Sequence, residues 1–164
     1  MHLLRTVILM KEAPRKFLPL KAEPEPGDRL VAVPCYVLSA NMAERGLLTR
    51  LTVKEVTAVV DAARGSAVIV DGAVEPREMP EIPEDIKILP ARLKPSEAEG
   101  AALAAVSAAS PRGWKRGLRH SELFFKHSGE DVSALRLYII RGPLLIDAFT
   151  GESSGAASLI EFII

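Results

Sequence analysis

Cysteine is almost absent. Cys35 is the only one in 164 residues, so no intrachain disulfide can form and a cysteine-based zinc site would lack its usual number of ligands. A reducing compartment fits that usage, and a cytoplasmic location is expected. Neither sign of charge is in excess, with Lys plus Arg at 21 and Asp plus Glu at 21. This excludes a uniformly basic nucleic-acid coat and a uniformly acidic surface, so any electrostatic partner must meet a local patch. Long apolar runs are missing too. The stretch from Met1 to Met10 is apolar, but Lys11, Glu12, Arg15 and Lys16 interrupt it, and nothing approaches the roughly 20 apolar residues of a membrane helix. It reads as a first strand, and no membrane insertion is expected. P-loop, dinucleotide fingerprint, nucleophile elbow and paired-carboxylate helix are all lacking, and no cofactor is expected.

What is present is apolar residue in quantity. A hydrophobic fraction of 48% in 164 residues is enough to bury one sizeable core, whereas two independent domains would each be marginal, so a single domain over 1–164 is expected. Strand patterns recur along it. Arg29 to Leu38 reads as a strand carrying Pro34, which argues for an edge position or a bulge. Leu47 to Val60 alternates imperfectly and is rich in β-branched residues, favouring a strand, although residues 53–63 also fit an amphipathic helix. Ala67 to Val70 follows after an Arg64-Gly65-Ser66 turn. Further strands are expected over Leu123–Lys126, Ala134–Ile140, Leu144–Phe149 and Leu159–Ile164, with Arg141-Gly142-Pro143 as a bend.

Proline and acid punctuate the middle. Pro76, Pro80, Pro83, Pro90 and Pro95 lie between Asp71 and Ser96, with Glu75, Glu78, Glu81, Glu84 and Asp85 among the first three, a spacing that leaves no room for a regular element. Ser96-Glu97-Ala98-Glu99 then matches a capping box, and an alanine-rich helix over about 96–110 is expected, ended by Pro111 and Gly113. Its small side chains suit close approach to a sheet. Pro14 and Pro19 likewise mark the segment after the first strand as a loop, and Glu23 to Asp28 as a turn.

Two segments echo each other. Val60-Asp61-Ala62-Ala63-Arg64-Gly65 and Ile146-Asp147-Ala148-Phe149-Thr150-Gly151 share the pattern apolar-Asp-Ala-x-x-Gly, each after a β-branched run. An aspartate ending a strand accepts hydrogen bonds from the next turn, and glycine supplies the positive φ that closes it, so Asp61, Gly65, Asp147 and Gly151 are read as structural turn residues. The echo points to a duplicated unit, with halves 29–72 and 118–164 joined by the Pro-rich acidic loop and helix of 73–117. The second copy, residues 137–152, resembles the strand-turn-strand ending of PepSY-like domains, where an Asp-Ala-x-Thr-Gly-Glu segment follows a hairpin. The resemblance implies a similar hairpin in a small α+β module with a binding or inhibitory role; such domains are generally extracytoplasmic, which the start of this chain does not match.

The most unusual stretch is Pro111 to His120, where Arg112, Lys115, Arg116, Arg119 and His120 surround Trp114. Cations neutralise phosphate and an indole stacks on a base or anchors a protein, so these six are candidate partner-binding residues. The alternative is that Trp114 packs on the helix end while the cations meet the acidic loop. His120, Glu122 and His127 lack the helical four-residue pairing typical of metal ligands, and no metal site or catalytic residue is assigned. Cys35 beside Tyr36 reads as buried packing. The expected fold is therefore α+β, a mostly antiparallel, curved sheet of two related strand-rich halves against one main helix. The expected task is non-catalytic protein binding or assembly, with a protein partner or self-association favoured over nucleic acid. Phosphate or nucleic-acid binding through the Trp114 segment, and an enzyme with a cryptic site at Asp61 or Asp147, are the alternatives.

Overall fold

The computed structural model of the chain describes residues 16–46, 50–78, 86–109, 119–126 and 132–155, the side chains of residues 109, 119, 120 and 132 excepted. It is strand-rich with one helix among the described residues, α1 (Pro95–Ala109). The strands are β1 (Arg29–Gly46), β2 (Thr52–Asp61), β3 (Ala67–Asp71), β4 (Lys87–Ile88), β5 (Arg119–Phe125), β6 (Val132–Arg141), β7 (Leu144–Asp147) and β8 (Ser153–Ser154). The class is α+β with mostly antiparallel pairing, as the alternation of strand patterns with one alanine-rich run predicts. The expected strands Leu3–Met10 and Leu159–Ile164 lie outside the described residues. Among the described residues, no helix is long and apolar enough to cross a membrane.

The described residues fall into two compact units, and β1 changes unit between Cys35 and Tyr36. The first takes its residues from Met1–Cys35, Glu75–Ala91 and Ser133–Ile164. Here β1 neighbours β6, followed by β7 and β8, and β4 lies parallel to β1 with Val31 opposite Lys87 and Ala32 opposite Ile88. Its core gathers Phe17, Ala32, Leu135, Leu137, Ile139 and Ala148. Phe17 and Leu18 are buried within the segment that Pro14 and Pro19 mark as loop, and Phe17 makes isolated bridges to Arg77 and Leu135. One expectation is corrected: β4 forms within the proline-punctuated stretch between Asp71 and Pro95. A proline forbids its own amide bond but not those of the residues just before it, and a two-residue parallel pairing fits in that space.

The second unit takes its residues from Tyr36–Val74 and Arg92–Val132. β3 pairs with β2, β2 neighbours β1, and β5 pairs antiparallel with β1 from Ala40 opposite Phe125 to Gly46 opposite Arg119. Residues 53–61 are strand, not helix. The first four residues of β2 are exposed and the last six buried, Thr57 and Asp61 included, which is why its alternation is imperfect: a strand covered on both faces needs no polar side. Thr57 satisfies its hydroxyl by donating to the Gly72 carbonyl at 2.7 Å. Pro34 sits inside an 18-residue strand, between Ala32, whose carbonyl accepts from Leu89, and Ser39, whose carbonyl accepts from Lys126. Pro34 belongs to neither the β4 nor the β5 pairing of β1, which lies inside the sheet order between β2 and β6 and not at its edge.

The helix packs on β2, β3 and β5 through Ala98 and Ala102, four residues apart on one face. Its start differs from the Ser96 capping box. Pro95 is the first helical residue, where its missing amide costs nothing, and Glu97 Oε1 accepts from the Lys94 amide at 3.2 Å while the Glu97 amide donates to the Lys94 carbonyl at 2.9 Å.

In the first unit the turn before β1 is locked by charge. Asp28 Oδ2 accepts from the Glu25 amide at 2.7 Å, and the Arg141 guanidinium donates to Asp28 Oδ1 and Oδ2 at 3.0 and 2.8 Å. The Arg141 hydrogen bonds, then that of the Glu25 amide, outweigh the cost of removing the carboxylate from water and hold Asp28 below its ordinary value of 3.8. A depressed native pKa means that the stabilisation is present above the unfolded value and disappears as pH falls through the native one. Asp28→Asn is therefore expected to lower the urea midpoint near neutral pH, with the gap closing progressively below about pH 4. Midpoints measured at stepped pH check this, and a gap that stays constant into strong acid would assign the loss to geometry instead of charge.

Candidate functional site

The echoing segments fold into the same corner twice. At the first, β2 ends on Asp61, whose Oδ1 accepts from the amides of Ala63 and Arg64, both at 2.8 Å. The Gly65 amide donates to the Asp61 carbonyl at 2.8 Å and the Asp61 amide to the Ser66 carbonyl at 2.7 Å. At the second, β7 ends on Asp147, whose Oδ1 accepts from Phe149 and Thr150 at 3.0 and 3.4 Å. The Gly151 amide donates to the Asp147 carbonyl at 2.7 Å and the Asp147 amide to the Glu152 carbonyl at 2.8 Å. Gly65 and Gly151 have the same φ, 81°, in the left-handed region that a side chain strains to enter. Asp61 and Asp147 thus accept from the amides of the turns that follow them, and Gly65 and Gly151 carry the positive φ.

Each carboxylate also meets a guanidinium. Arg64 Nε donates to Asp61 Oδ2 at 2.7 Å from within the turn itself. At the second corner the arginine comes from the neighbouring strand: Arg136 Nε reaches Asp147 Oδ1 and Oδ2 at 3.3 and 3.1 Å, and its Nη2 donates to Oδ2. The Arg136 guanidinium carbon lies 5.6 Å from the ring centres of both Tyr138 and Phe149, a cation held against two π faces. Burial works against charge on Arg136, but the Asp147 hydrogen bonds and the surrounding electrostatics overcome it and its pKa is raised. Nothing in the sequence marks Arg136 as a partner of Asp147, since the pair is made by strand register, with Tyr138 opposite Asp147.

The alanine that follows each aspartate is fully buried, and its carbonyl accepts two successive amides from a distant segment. Ala62 accepts from Arg92 and Leu93 at 2.7 and 2.8 Å, and Ala148 from Lys21 and Ala22 at 2.7 and 3.2 Å. The prolines at positions 19 and 90 make both donor segments read as loop. Each carboxylate oxygen at these corners accepts at least one hydrogen bond from within the fold, the arrangement of a buried turn lock.

Elsewhere the second unit carries an outward apolar surface. In the β1–β5 pairing Met42 and Leu123 are buried opposite one another, so the adjacent Asn41–Phe124 pair faces the other way, with Phe124 55% exposed. Lys126, two residues on, pairs with Glu55 at 3.7 Å, which sets Glu55 and hence Val53 on the same face as Phe124. Val53 is 62% exposed and Leu51 60%. Of the partner-binding candidates, Arg112, Trp114, Lys115 and Arg116 lie outside the described residues. The backbones of Arg119 and His120 run in β5, opposite Gly46 and Arg45, and their side chains are not among those described. Cys35 is buried, as expected. Among the described residues, no group of three or more His, Cys, Asp or Glu is placed to hold a metal ion.

No family model, no curated protein and no solved structure matches the chain.

If the corners are structural locks, Asp147→Ala should cost about 3–5 kcal/mol of unfolding free energy, because it strands a largely buried guanidinium as well as two turn amides. Asp147→Asn, which keeps an oxygen for those amides, should recover part of the loss. Chemical denaturation measures both, and an alanine variant within about 0.5 kcal/mol of the parent would show that the corner is dispensable.

Proposed function

We propose that this chain is a non-catalytic binding or assembly module, a single domain of two related strand-rich halves, that associates with protein through its outward sheet face. The observation that carries this reading is the pairing of committed carboxylates with an uncommitted apolar surface. Asp61 and Asp147 have their oxygens engaged by turn amides and guanidinium groups, leaving the cryptic-enzyme alternative without a free acid or base at either corner. Phe124 and Val53, by contrast, stand on one sheet face with most of their side chains in water. Large apolar side chains gathered on a face and rimmed by an ion pair such as Lys126–Glu55 have the composition of a protein contact. Self-association is the simplest case, a second copy meeting the same face about a two-fold axis.

Sedimentation of the full-length protein over a range of concentrations tests this. A reversible monomer–oligomer equilibrium is expected, weakened roughly tenfold or more by Phe124→Glu, the effect of charging an aromatic anchor. An equilibrium indifferent to Phe124→Glu would remove the face from consideration. Turnover in a hydrolase or transferase screen that is lost on Asp61→Asn or Asp147→Asn would overturn the non-catalytic reading altogether. Oligonucleotide binding that falls steeply with salt and disappears in Trp114→Ala would transfer the function to the basic segment of Arg112, Lys115, Arg116, Arg119 and His120.

A further inference from the structure

The two donor segments that close the corners are alike in sequence. Lys16-Phe17-Leu18-Pro19-Leu20-Lys21-Ala22 and Lys87-Ile88-Leu89-Pro90-Ala91-Arg92-Leu93 share the order lysine, bulky apolar, leucine, proline, apolar, basic, apolar. They are also alike in what they bond. Ahead of the proline each runs parallel to a strand: Phe17 bridges Leu135 of β6, with the Leu18 amide donating to the Leu135 carbonyl at 2.9 Å, and Ile88 pairs with Ala32 of β1, with the Leu89 amide donating to the Ala32 carbonyl at 2.9 Å. Past the proline, the basic residue and its successor both donate to the alanine carbonyl of a corner. Leucine, proline and basic residue hold corresponding places in both sets of bonds, which a chance likeness of two short strings does not explain.

We infer that residues 16–22 and 87–93 are the matching lead-in segments of the two halves, and that the chain exchanges them. The segment preceding the first corner in sequence closes the second, at Ala148, while the segment preceding the second closes the first, at Ala62. The inference rests on the reading of two related halves and extends each copy N-terminally, beyond residue 29 in one case and 118 in the other. Each half acts as the strand-addition ligand of its counterpart, main-chain bonds supplying attachment and the Leu-Pro pair setting where the ladder stops. Neither corner can complete its alanine carbonyl from within its own copy, so each lead-in opens and closes with the corner of the opposite half.

Amide hydrogen exchange on the full-length protein resolves this residue by residue. Asp147→Ala is expected to speed exchange at Lys21 and Ala22 by roughly tenfold or more while leaving Arg92 and Leu93 protected, and Asp61→Ala should do the reverse. Gly151→Ala and Gly65→Ala provide the same comparison at lower cost should an aspartate variant not fold. They strain only the local backbone, since an added Cβ at position 151 meets Lys21 Cβ at an ordinary 3.6 Å and at position 65 meets nothing within 4 Å. If each variant instead frees the lead-in of its own half, exchange is refuted and the halves remain related. If the second-corner variants free Lys21 and Ala22 but the first-corner variants leave Arg92 and Leu93 protected, the segments are not equivalent and the reading of related halves fails with the inference.

Discussion

The fold turns on a carboxylate buried at the end of a strand and satisfied by the turn that follows it. A carboxyl side chain is expensive to remove from water without hydrogen-bond partners, and Asp61, at 1% exposure, finds its partners within a few residues. One oxygen takes two turn amides and the other a guanidinium, a division that serine or threonine, with one oxygen, has no means to make. The turn in turn needs a residue at positive φ to bring its last amide back to the aspartate carbonyl. Aspartate and glycine are thus two ends of one constraint.

What lies between them is constrained more loosely, and the two corners differ there in an informative way. The residue after the aspartate is alanine in both, fully buried, and its small side chain leaves the carbonyl open to the two amides that arrive from outside. The guanidinium is a different matter. Arg64 is part of the first turn and its side chain keeps 31% of its surface in water, whereas Arg136 reaches the second from β6, is 11% exposed and lies against two aromatic rings. The same electrostatic need is met once by a local residue and once by a tertiary one. A pair buried to that degree depends more heavily on its geometry, because water cannot substitute for either partner.

This difference also explains which parts of the architecture can be read from residues alone. The corners are legible because aspartate, alanine and glycine interact within five positions, and the helix because alanines run on behind Pro95. The shift of its cap from Ser96 to Lys94 follows from proline, which is better placed as the first helical residue than ahead of it. The long β1 is less legible: beyond Leu38 its buried residues, Ala40 and Met42, are small or unbranched and do not look like strand. The lead-ins are the hardest. A two-residue parallel pairing has no periodicity to detect, and the proline that ends each one reads as a loop signal when it is in fact a stop. Arg136 and Phe124 acquire their roles only from register, which a single sequence does not express.

On the reading of two related halves, the place where the copies diverge most is also where chemistry of contact accumulates. Between lead-in and strand the first copy has only the turn from Glu23 to Asp28, locked to Arg141. In the second copy the same position holds α1, the basic stretch around Trp114 and β5 with Phe124. The corners and lead-ins are bonded to one another through main-chain amides and carbonyls. An insertion at a single point of such a framework adds exposed surface without disturbing a turn or a ladder on which the rest depends, since its two ends are already fixed by Leu93 and β6. The polar groups at the corners, Asp61 and Asp147, are bonded to the amides of their own turns and to guanidinium groups.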